Sequence, residues 1–95
     1  MAAYVHANIE VTDPAAYEEY RRQVAATVQA HGGRFLARGG AVEQLEGAEL
    51  APRHVIIEFP DMETLKAWYG SSEYQPLAKL RQRASRGTLV AIHGV

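Results

Sequence analysis

The chain has no cysteine among its 95 residues. This absence excludes disulfides, thiolate metal ligands and a cysteine nucleophile. No apolar run approaches the length needed to cross a membrane, and the N-terminus enters a strand-like pattern without the basic region and apolar core of a signal peptide. We therefore expect a cytoplasmic protein.

An excess of charge of either sign is also missing, because the formal net charge is -1 at pH 7 and acidic and basic residues are interspersed. Without a basic stripe that could displace phosphate counterions, we do not expect nucleic acid as a partner. At 95 residues and 47% hydrophobic content, residues 1–95 form one small domain. Partner surface adds much of the stability at this size, so we expect a homodimer.

Metal-ligating patterns are absent as well. The histidines are His6, His31, His54 and His93, and none forms an HxH or HxxxH pair. Because cysteine is missing too, a zinc or iron site would need an unforeseen convergence in space. We expect no metal and no cofactor.

Hydrophobic periodicity predicts four strands and a second helical region in two pieces. The first strand alternates between apolar residues such as Val5 and Ile9 and polar residues such as His6 and Asn8. Asp13 followed by Pro14 is typical of a helix start. The predicted strands cover residues 3–11, 34 to about 45, 54–59 and 88–93, and the predicted helices cover residues 14 to about 31, 62–69 and 72 to about 85. In the last of these, Ser72 and Gln75 resemble a capping box.

This βαββαβ order predicts a ferredoxin-like α+β fold, with a four-stranded antiparallel sheet and the helices on one face. The other face of the sheet is then uncovered. Val5 and Ile9 on the first strand, and Val55, Ile57 and Phe59 on the third, form apolar strand faces that a small monomer should not expose. We expect these faces to pair about a twofold axis and to close a dimeric α/β barrel.

Glu58 is the one acidic residue in the apolar third strand, where a carboxylate needs a partner, a proton or a ligand. A hairpin centred near Ala48 places Arg38 directly opposite Glu58. The pair Gly39-Gly40 indicates a bulge, a bend or a close approach of backbone to another group. A bulge there would shift the pairing by one residue and turn Arg38 to the other face.

Several motifs together resemble the bacterial domain-of-unknown-function family 1330 along essentially the whole chain. They are Gly32-Gly33-Arg34, Arg38-Gly39-Gly40, Glu46-Gly47, Glu58-Phe59-Pro60, Trp68-Tyr69, Ser72-x-Tyr74 and Arg81. The resemblance implies membership of the dimeric α/β-barrel superfamily, and it carries over no catalytic role because the family has no established activity. The wider superfamily includes cofactor-free antibiotic-biosynthesis monooxygenases, haem-degrading monooxygenases and muconolactone isomerases, whose pockets lie between sheet and helices.

One hypothesis is therefore a small-molecule enzyme with a pocket between the polar sheet face and the helix that carries Trp68. The candidate catalytic residues are Glu58, Arg38 and His6, and the candidate substrate-binding residues are Asn8, Trp68, Tyr69 and Tyr74. Arg38 would hold an enolate or other anionic oxygen, and Glu58 or His6 would act as general base. The aromatic residues would stack a flat substrate. The predicted chemistry is proton abstraction or cofactor-free oxidation of a phenolic or 1,3-dicarbonyl compound.

The alternative hypothesis is a non-catalytic dimeric module that binds a metabolite or stabilises a partner. Arg38 and Glu58 would then be an inert ion pair, and Trp68 and Tyr69 would serve core and dimer packing. Arg81 near the end of the last helix would suit the helix dipole and solvation. Haem degradation fits poorly, because the helix after Trp68 has no histidine to ligate iron.

Overall fold

The computed structural model describes residues 1–95 and contains seven elements. They are β1 (Ala3–Val11), α1 (Pro14–Ala30), β2 (Arg34–Arg38), β3 (Arg53–Phe59), α2 (Met62–Tyr69), α3 (Gln75–Ala84) and β4 (Ser85–His93). The strands form one antiparallel sheet in the order β2-β3-β1-β4. The predicted ferredoxin-like arrangement is confirmed. None of the helices has the length and apolar character needed to cross a membrane.

The starts of the first two helices follow from their capping residues. The Asp13 carboxylate accepts a hydrogen bond of 3.2 Å from the backbone N–H of Ala16 at the start of α1. At α2 the Asp61 carboxylate accepts one of 2.7 Å from the backbone N–H of Thr64, and this bond lowers the pKa of Asp61. Each carboxylate satisfies an amide that has no partner within its helix.

The start of α3 differs from the prediction. The expected capping box of Ser72 and Gln75 does not form. The Ser71 hydroxyl instead accepts a hydrogen bond of 3.2 Å from the backbone N–H of Tyr74. The Gln75 side chain donates over 2.6 Å to the Tyr69 carbonyl. Gln75 thus ties α3 to the end of α2 rather than capping its own helix.

The core lies between the sheet and the three helices. Ala3, Val5 and Ile9 of β1 are at most 1% exposed, and Phe59 of β3 is fully buried. Phe59 packs against Trp68 of α2 with 5.3 Å between ring centroids. The helices thus cover the apolar face of the sheet, because this face and the helix stripes can bury each other within one subunit.

The expectation that this apolar face pairs between subunits is therefore wrong. The uncovered face of the sheet is the other one. We call it the open face, and it consists of the half-buried residues Tyr4, His6, Asn8, His54, Ile56 and Glu58 together with the exposed residues Thr88, Val90 and Ile92.

Strand β2 is shorter than predicted and ends at Arg38 instead of near Leu45. Its register with β3 shifts between Phe35 and Ala37, so that Arg34 lies opposite Glu58 and Arg38 lies opposite Val55. The predicted pairing of Arg38 with Glu58 is wrong. From the sequence, a bulge could turn Arg38 to the other face, and a bulge does turn it to the helix side. This bulge lies between Phe35 and Ala37, however, and not at Gly39-Gly40.

Candidate functional site

A cavity of ≈ 20 Å³ lies between the sheet and the helices, on the side where Arg38 points. This volume holds about one water molecule. Its walls are mostly apolar and include four arginines. The lining residues are Val5, Ala7, Ile9, Tyr17, Tyr20, Arg21, Val24, Phe35, Arg38, Arg53, Val55, Ile57, Trp68, Arg81 and Leu89.

Arg38 reaches this cavity from β2. One of its Nη atoms donates a hydrogen bond of 2.6 Å to the carbonyl of Arg21, and its guanidinium lies 4.3 Å from the centroid of the Phe35 ring. Burial lowers the pKa of Arg38, and the nearby charges of Arg21 and Arg53 lower it further. Arg38 therefore holds its charge in an environment that disfavours it.

Arg53 enters the cavity from the start of β3. Its Nε donates over 3.0 Å to the Tyr17 hydroxyl, and its guanidinium lies 5.1 Å from the centroid of the Tyr17 ring. The backbone of Gly39 packs closely against the same guanidinium, with φ at 71°. The close approach considered for the paired glycines is thus a contact between Gly39 and Arg53.

Arg81 lies in the apolar stripe of α3 and is only 8% exposed. Its Nε is the one buried side-chain nitrogen or oxygen without a hydrogen-bond partner in the protein. Nearby, the hydroxyls of Tyr20 and Tyr74 share a hydrogen bond of 2.9 Å. Burial raises the pKa of Tyr20 and the Tyr74 hydroxyl raises it further, so Tyr20 stays protonated.

Arg38, Arg53 and Arg81 form no ion pair with any acidic residue of the chain. No Asp, Glu or His side chain lines the cavity. Arg81 is buried and Arg38 and Arg53 are half-buried, and a buried charge is ordinarily paired because removing it from water is costly. The cavity is thus apolar in its walls, positive in its charge and suited to an anion.

The three aromatic residues of the predicted wall take different positions. Trp68 lines the cavity and is fully buried, and its Nε1 donates a hydrogen bond of 3.0 Å to the Thr27 hydroxyl. Tyr74 packs behind it with 4.0 Å between ring centroids. Tyr69 is 37% exposed and borders a separate groove between α2 and β4. Only Trp68 contacts the cavity directly.

The remaining candidates lie on the open face, across the sheet from Trp68. Glu58 accepts a hydrogen bond of 2.8 Å from Nε of Arg34. Nε2 of His6 lies 3.0 Å from Nδ1 of His54. The Asn8 side-chain amide donates a hydrogen bond to the Ala51 carbonyl and accepts one from the Ala51 N–H. The predicted single pocket of all seven residues is therefore wrong, since the sheet separates His6, Asn8 and Glu58 from Arg38 and Trp68.

Sequence reasoning did not identify Arg53 as a site residue and explained Arg81 by solvation. The position of each arginine in its strand or helix could have identified it. Arg53 shares the apolar face of β3 with Val55 and Ile57 by simple alternation. Arg81 falls four residues after Leu77 in the apolar stripe of α3. A cation at a core-facing position is the feature that indicates a site here. No three acidic or histidine side chains come together as a metal site.

A ferredoxin-like α+β domain with a cationic cavity between sheet and helices is the class of protein that these features define. The chain belongs to the family described as Domain of unknown function (DUF1330), whose model matches residues 2–95. The resemblance noted from the motifs is confirmed. No curated protein matches the sequence.

Solved structures with the same fold include proteins of unknown and of known activity. A protein of unknown function from Rhodopseudomonas palustris superposes with a TM-score of 0.79 at 17% identity, covering 99% of this chain and 82% of that chain. A cofactor-independent oxygenase from Streptomyces nogalater gives a TM-score of 0.67 at 12% identity, covering 99% and 93%. A dimeric ferredoxin-like protein of unknown function from Jannaschia sp. CCS1 gives 0.65 at 15% identity, covering 100% and 99%. At these identities the likeness shows the fold alone.

Proposed function

We propose that this protein binds a small organic anion in the cavity between sheet and helices. We further propose that it acts on a phenolic or dicarbonyl compound without a cofactor, as a monooxygenase or an isomerase. The observation that carries this proposal is the convergence of Arg38, Arg53 and Arg81 on one apolar cavity without a single carboxylate partner. The cofactor-independent oxygenase with this fold supports the choice of chemistry.

The arginines would act by stabilising the deprotonated substrate. A guanidinium beside an enol or phenol favours the enolate or phenolate, and it does so more strongly in a dry cavity than in water. The electron-rich anion is the species that an isomerase reprotonates at another carbon, or that dioxygen oxidises in a cofactor-free monooxygenase. Because Glu58 and His6 lie across the sheet, we propose no general-base role for them in this cavity. The substrate would therefore enter as an anion that has already lost its proton to bulk water.

A ligand would have to enlarge the cavity, since ≈ 20 Å³ is far below the roughly 300 Å³ of a small ligand pocket. The side chains best placed to move are Arg21, which is exposed, and Arg38 and Arg53, which are half-buried. We expect these arginines to change position when the ligand enters.

A non-catalytic metabolite-binding module is the second candidate. The observation that favours it is that no acidic or histidine side chain lines the cavity, so the chain offers no conventional general base there. In this version the same arginines bind the anion and release it unchanged.

We also propose that the protein is a homodimer in which the open faces of two copies pair. Val90 and Ile92 on this face are 44% and 48% exposed, which is unusual for adjacent large apolar residues of a small domain. The dimeric protein of the same fold supports this proposal. Sedimentation of wild type and Ile92→Asp tests it, with the loop variant Val42→Asp as control. A dimer that only Ile92→Asp dissociates is expected, and a wild-type monomer would contradict the proposal.

The test of function compares wild type with Arg38→Met in thermal-shift and turnover assays against phenols, aromatic acids, 1,3-dicarbonyls and quinones. Arg83→Met, an exposed change on α3, is the control. Ligand binding raises the melting temperature as its concentration exceeds the Kd. We expect a compound that stabilises wild type and Arg83→Met but not Arg38→Met. Oxygen uptake or isomer formation with that compound would establish an enzyme, and binding without turnover would favour the module. Equal stabilisation of all three proteins would overturn the cavity as the site.

A further inference from the structure

We propose that the ligand is a planar dianion, with a carboxylate at Arg38 and Arg53 and a second anionic oxygen at Arg81. This inference rests on the proposed function and narrows its ligand class. The class contains aromatic dicarboxylates, aromatic hydroxy acids bound as phenolates, and enolised keto acids. Its starting point is that the cavity arginines fall into two groups at different places in the fold.

The first group, the outer pair, consists of Arg38 and Arg53 on neighbouring strands. Arg38 bonds to the Arg21 carbonyl and Arg53 to the Tyr17 hydroxyl. Each of these contacts uses one nitrogen of a guanidinium that has five N–H donors. The remaining donors of two adjacent, half-buried guanidinium groups match the two oxygens of a carboxylate, which arginine binds in a bidentate manner.

The second group is Arg81 alone, which approaches from α3 among the tyrosines Tyr20, Tyr74 and Tyr69. The Tyr20 ring is 5.5 Å from that of Tyr17, which contacts Arg53, and 6.4 Å from that of Tyr74, so Tyr20 contributes to the same wall as both tyrosines. The outer pair lies on β2 and β3, whereas Arg81 lies on α3, so the cavity receives positive charge from the sheet and from a helix.

Arg81 has one buried N–H without an acceptor. It is 8% exposed and its Nε has no hydrogen-bond partner, and a buried donor left without a partner is rare because it loses its hydration without replacement. The Tyr20 hydroxyl keeps its proton and cannot supply a negative charge. An anionic oxygen from the ligand would satisfy both the charge and the free N–H of Arg81.

The shape of the ligand follows from the walls between the two groups. The sheet supplies small and branched apolar side chains such as Val5, Ala7 and Ile57, and the opposite side carries the flat ring of Trp68. Once the cavity enlarges, an aromatic or conjugated body would fit between these walls with little loss of conformational entropy. A planar dianion thus matches the walls, the charge and the unpartnered donor together.

Calorimetric titration with matched ligands tests this inference. The probes are phthalate, isophthalate and terephthalate, each compared with its monoamide, which keeps the shape and removes one charge, and with benzoate. Hydrogen bonds to charged groups contribute enough for a diacid to bind about tenfold or more tightly than its monoamide. We expect that preference for at least one isomer in wild type. In Arg81→Met the preference should fall to about one, because the second anionic oxygen loses its partner there.

The controls separate the two proposals. Arg38→Met should weaken benzoate and diacid alike, and Arg83→Met should change neither. Arg81→Lys, which keeps the charge, should retain part of the preference, and it serves as the second variant if Arg81→Met does not fold by circular dichroism. If the diacid and its monoamide bind wild type equally and both lose affinity in Arg38→Met, the dianion proposal is wrong and the anion site is still supported. Absence of binding by every probe would overturn the dianion, while the thermal-shift comparison of wild type with Arg38→Met decides separately on the anion site.

Discussion

Nδ1 of His54 lies 3.0 Å from Nε2 of His6 on the open face, and Nε2 of His54 lies 3.1 Å from the amide nitrogen of Asn8. The Asn8 amide is oriented by the backbone, because its oxygen accepts from the Ala51 N–H while the two hydrogens of its nitrogen are shared among the carbonyls of Ala51 and Arg53 and Nε2 of His54. The amide nitrogen can therefore only donate to Nε2 of His54. This leaves the His54 proton on Nδ1, from which it is donated to His6.

The first prediction is that neutral His54 and neutral His6 both carry their proton on Nδ1. Nitrogen-15 correlation spectra of the imidazole rings would show this directly, since the two tautomers have distinct patterns. Asn8→Ala removes the donor that fixes Nε2 of His54, and it should let the Nε2–H tautomer appear. A wild-type spectrum that already shows the Nε2–H form of His54 would contradict the chain of hydrogen bonds.

The second prediction concerns the arginines of β2. Arg34, which pairs with Glu58, has a side chain that is 72% exposed. Such pairs contribute about 0–1 kcal/mol, so Arg34→Ala should lower the free energy of unfolding by no more than that. Arg38 has no acidic partner, and burial, followed by the charges of Arg21 and Arg53, lowers its pKa. Arg38→Ala should therefore leave the free energy unchanged or raise it, as measured by urea denaturation at fixed protein concentration. A large loss in Arg38→Ala would show that the side chain has a structural role.

Periodicity was sufficient for the fold because every element but β2 has a clear apolar pattern or a capping residue. The bounds of α2 follow from Asp61 at one end and Gly70 at the other. The same reasoning predicted the wrong end for strand β2. Alternation continues past Arg38 in the sequence, while the backbone leaves the sheet at Gly39. A bulge at Leu36 leaves no mark in composition, yet it decides which face Arg38 occupies.

The site was only partly predictable for a related reason. Arg38 and Trp68 were identified and do reach one cavity. The choice of which sheet face the helices cover was wrong, and this placed Glu58 and His6 in the pocket in error. Apolar side chains at alternate positions show that a face is buried, but the pattern is the same whether a helix or another subunit buries it. The cations on that buried face were the informative residues.

The third prediction concerns the hydrogen bond from Trp68 Nε1 to the Thr27 hydroxyl. Both side chains are buried, and Thr27 also donates over 2.7 Å to the Val24 carbonyl. Thr27→Val keeps the shape and leaves the indole N–H without a partner, which should cost about 1–3 kcal/mol of unfolding free energy. In a Trp68→Phe background the same change should cost less, since no donor remains. Thr12→Val, at an exposed position, is the control. If Thr27→Val lowers the free energy of unfolding by the same amount in wild type and in Trp68→Phe, the hydrogen bond does not contribute to stability.

The fourth prediction concerns alkaline pH. Burial, and then the Tyr74 hydroxyl, raise the pKa of Tyr20 above its ordinary value of 10.0. Above about pH 10 the unfolded chain releases this proton while the folded protein keeps it, so the unfolded state binds fewer protons and the free energy of unfolding falls as pH rises. Tyr20→Phe should make that fall shallower in urea denaturation between about pH 8 and pH 11. Identical slopes for Tyr20→Phe and wild type would contradict a protonated Tyr20.

The last prediction uses the two neighbouring glycines as a matched pair. Gly39 has φ at 71°, and a Cβ added there would overlap the Arg53 guanidinium, with 2.6 Å to its Cζ. A Cβ at Gly40 would meet nothing within 4 Å. An alanine at positive φ is strained by about 1 kcal/mol or more, and here it would also push Arg53 away from the cavity.

Gly39→Ala should therefore lower both the free energy of unfolding and the affinity for the anion, while Gly40→Ala should change neither. The double variant with Arg53→Met separates the two effects. If the loss of affinity acts through Arg53, Gly39→Ala will weaken binding in wild type and will add nothing once Arg53 is replaced. Independent losses in the double variant would show that Gly39 acts on the ligand by another route. Such an additive result would contradict the proposed route from Gly39 through Arg53, because nothing but the Arg53 guanidinium lies within 3 Å of the added Cβ.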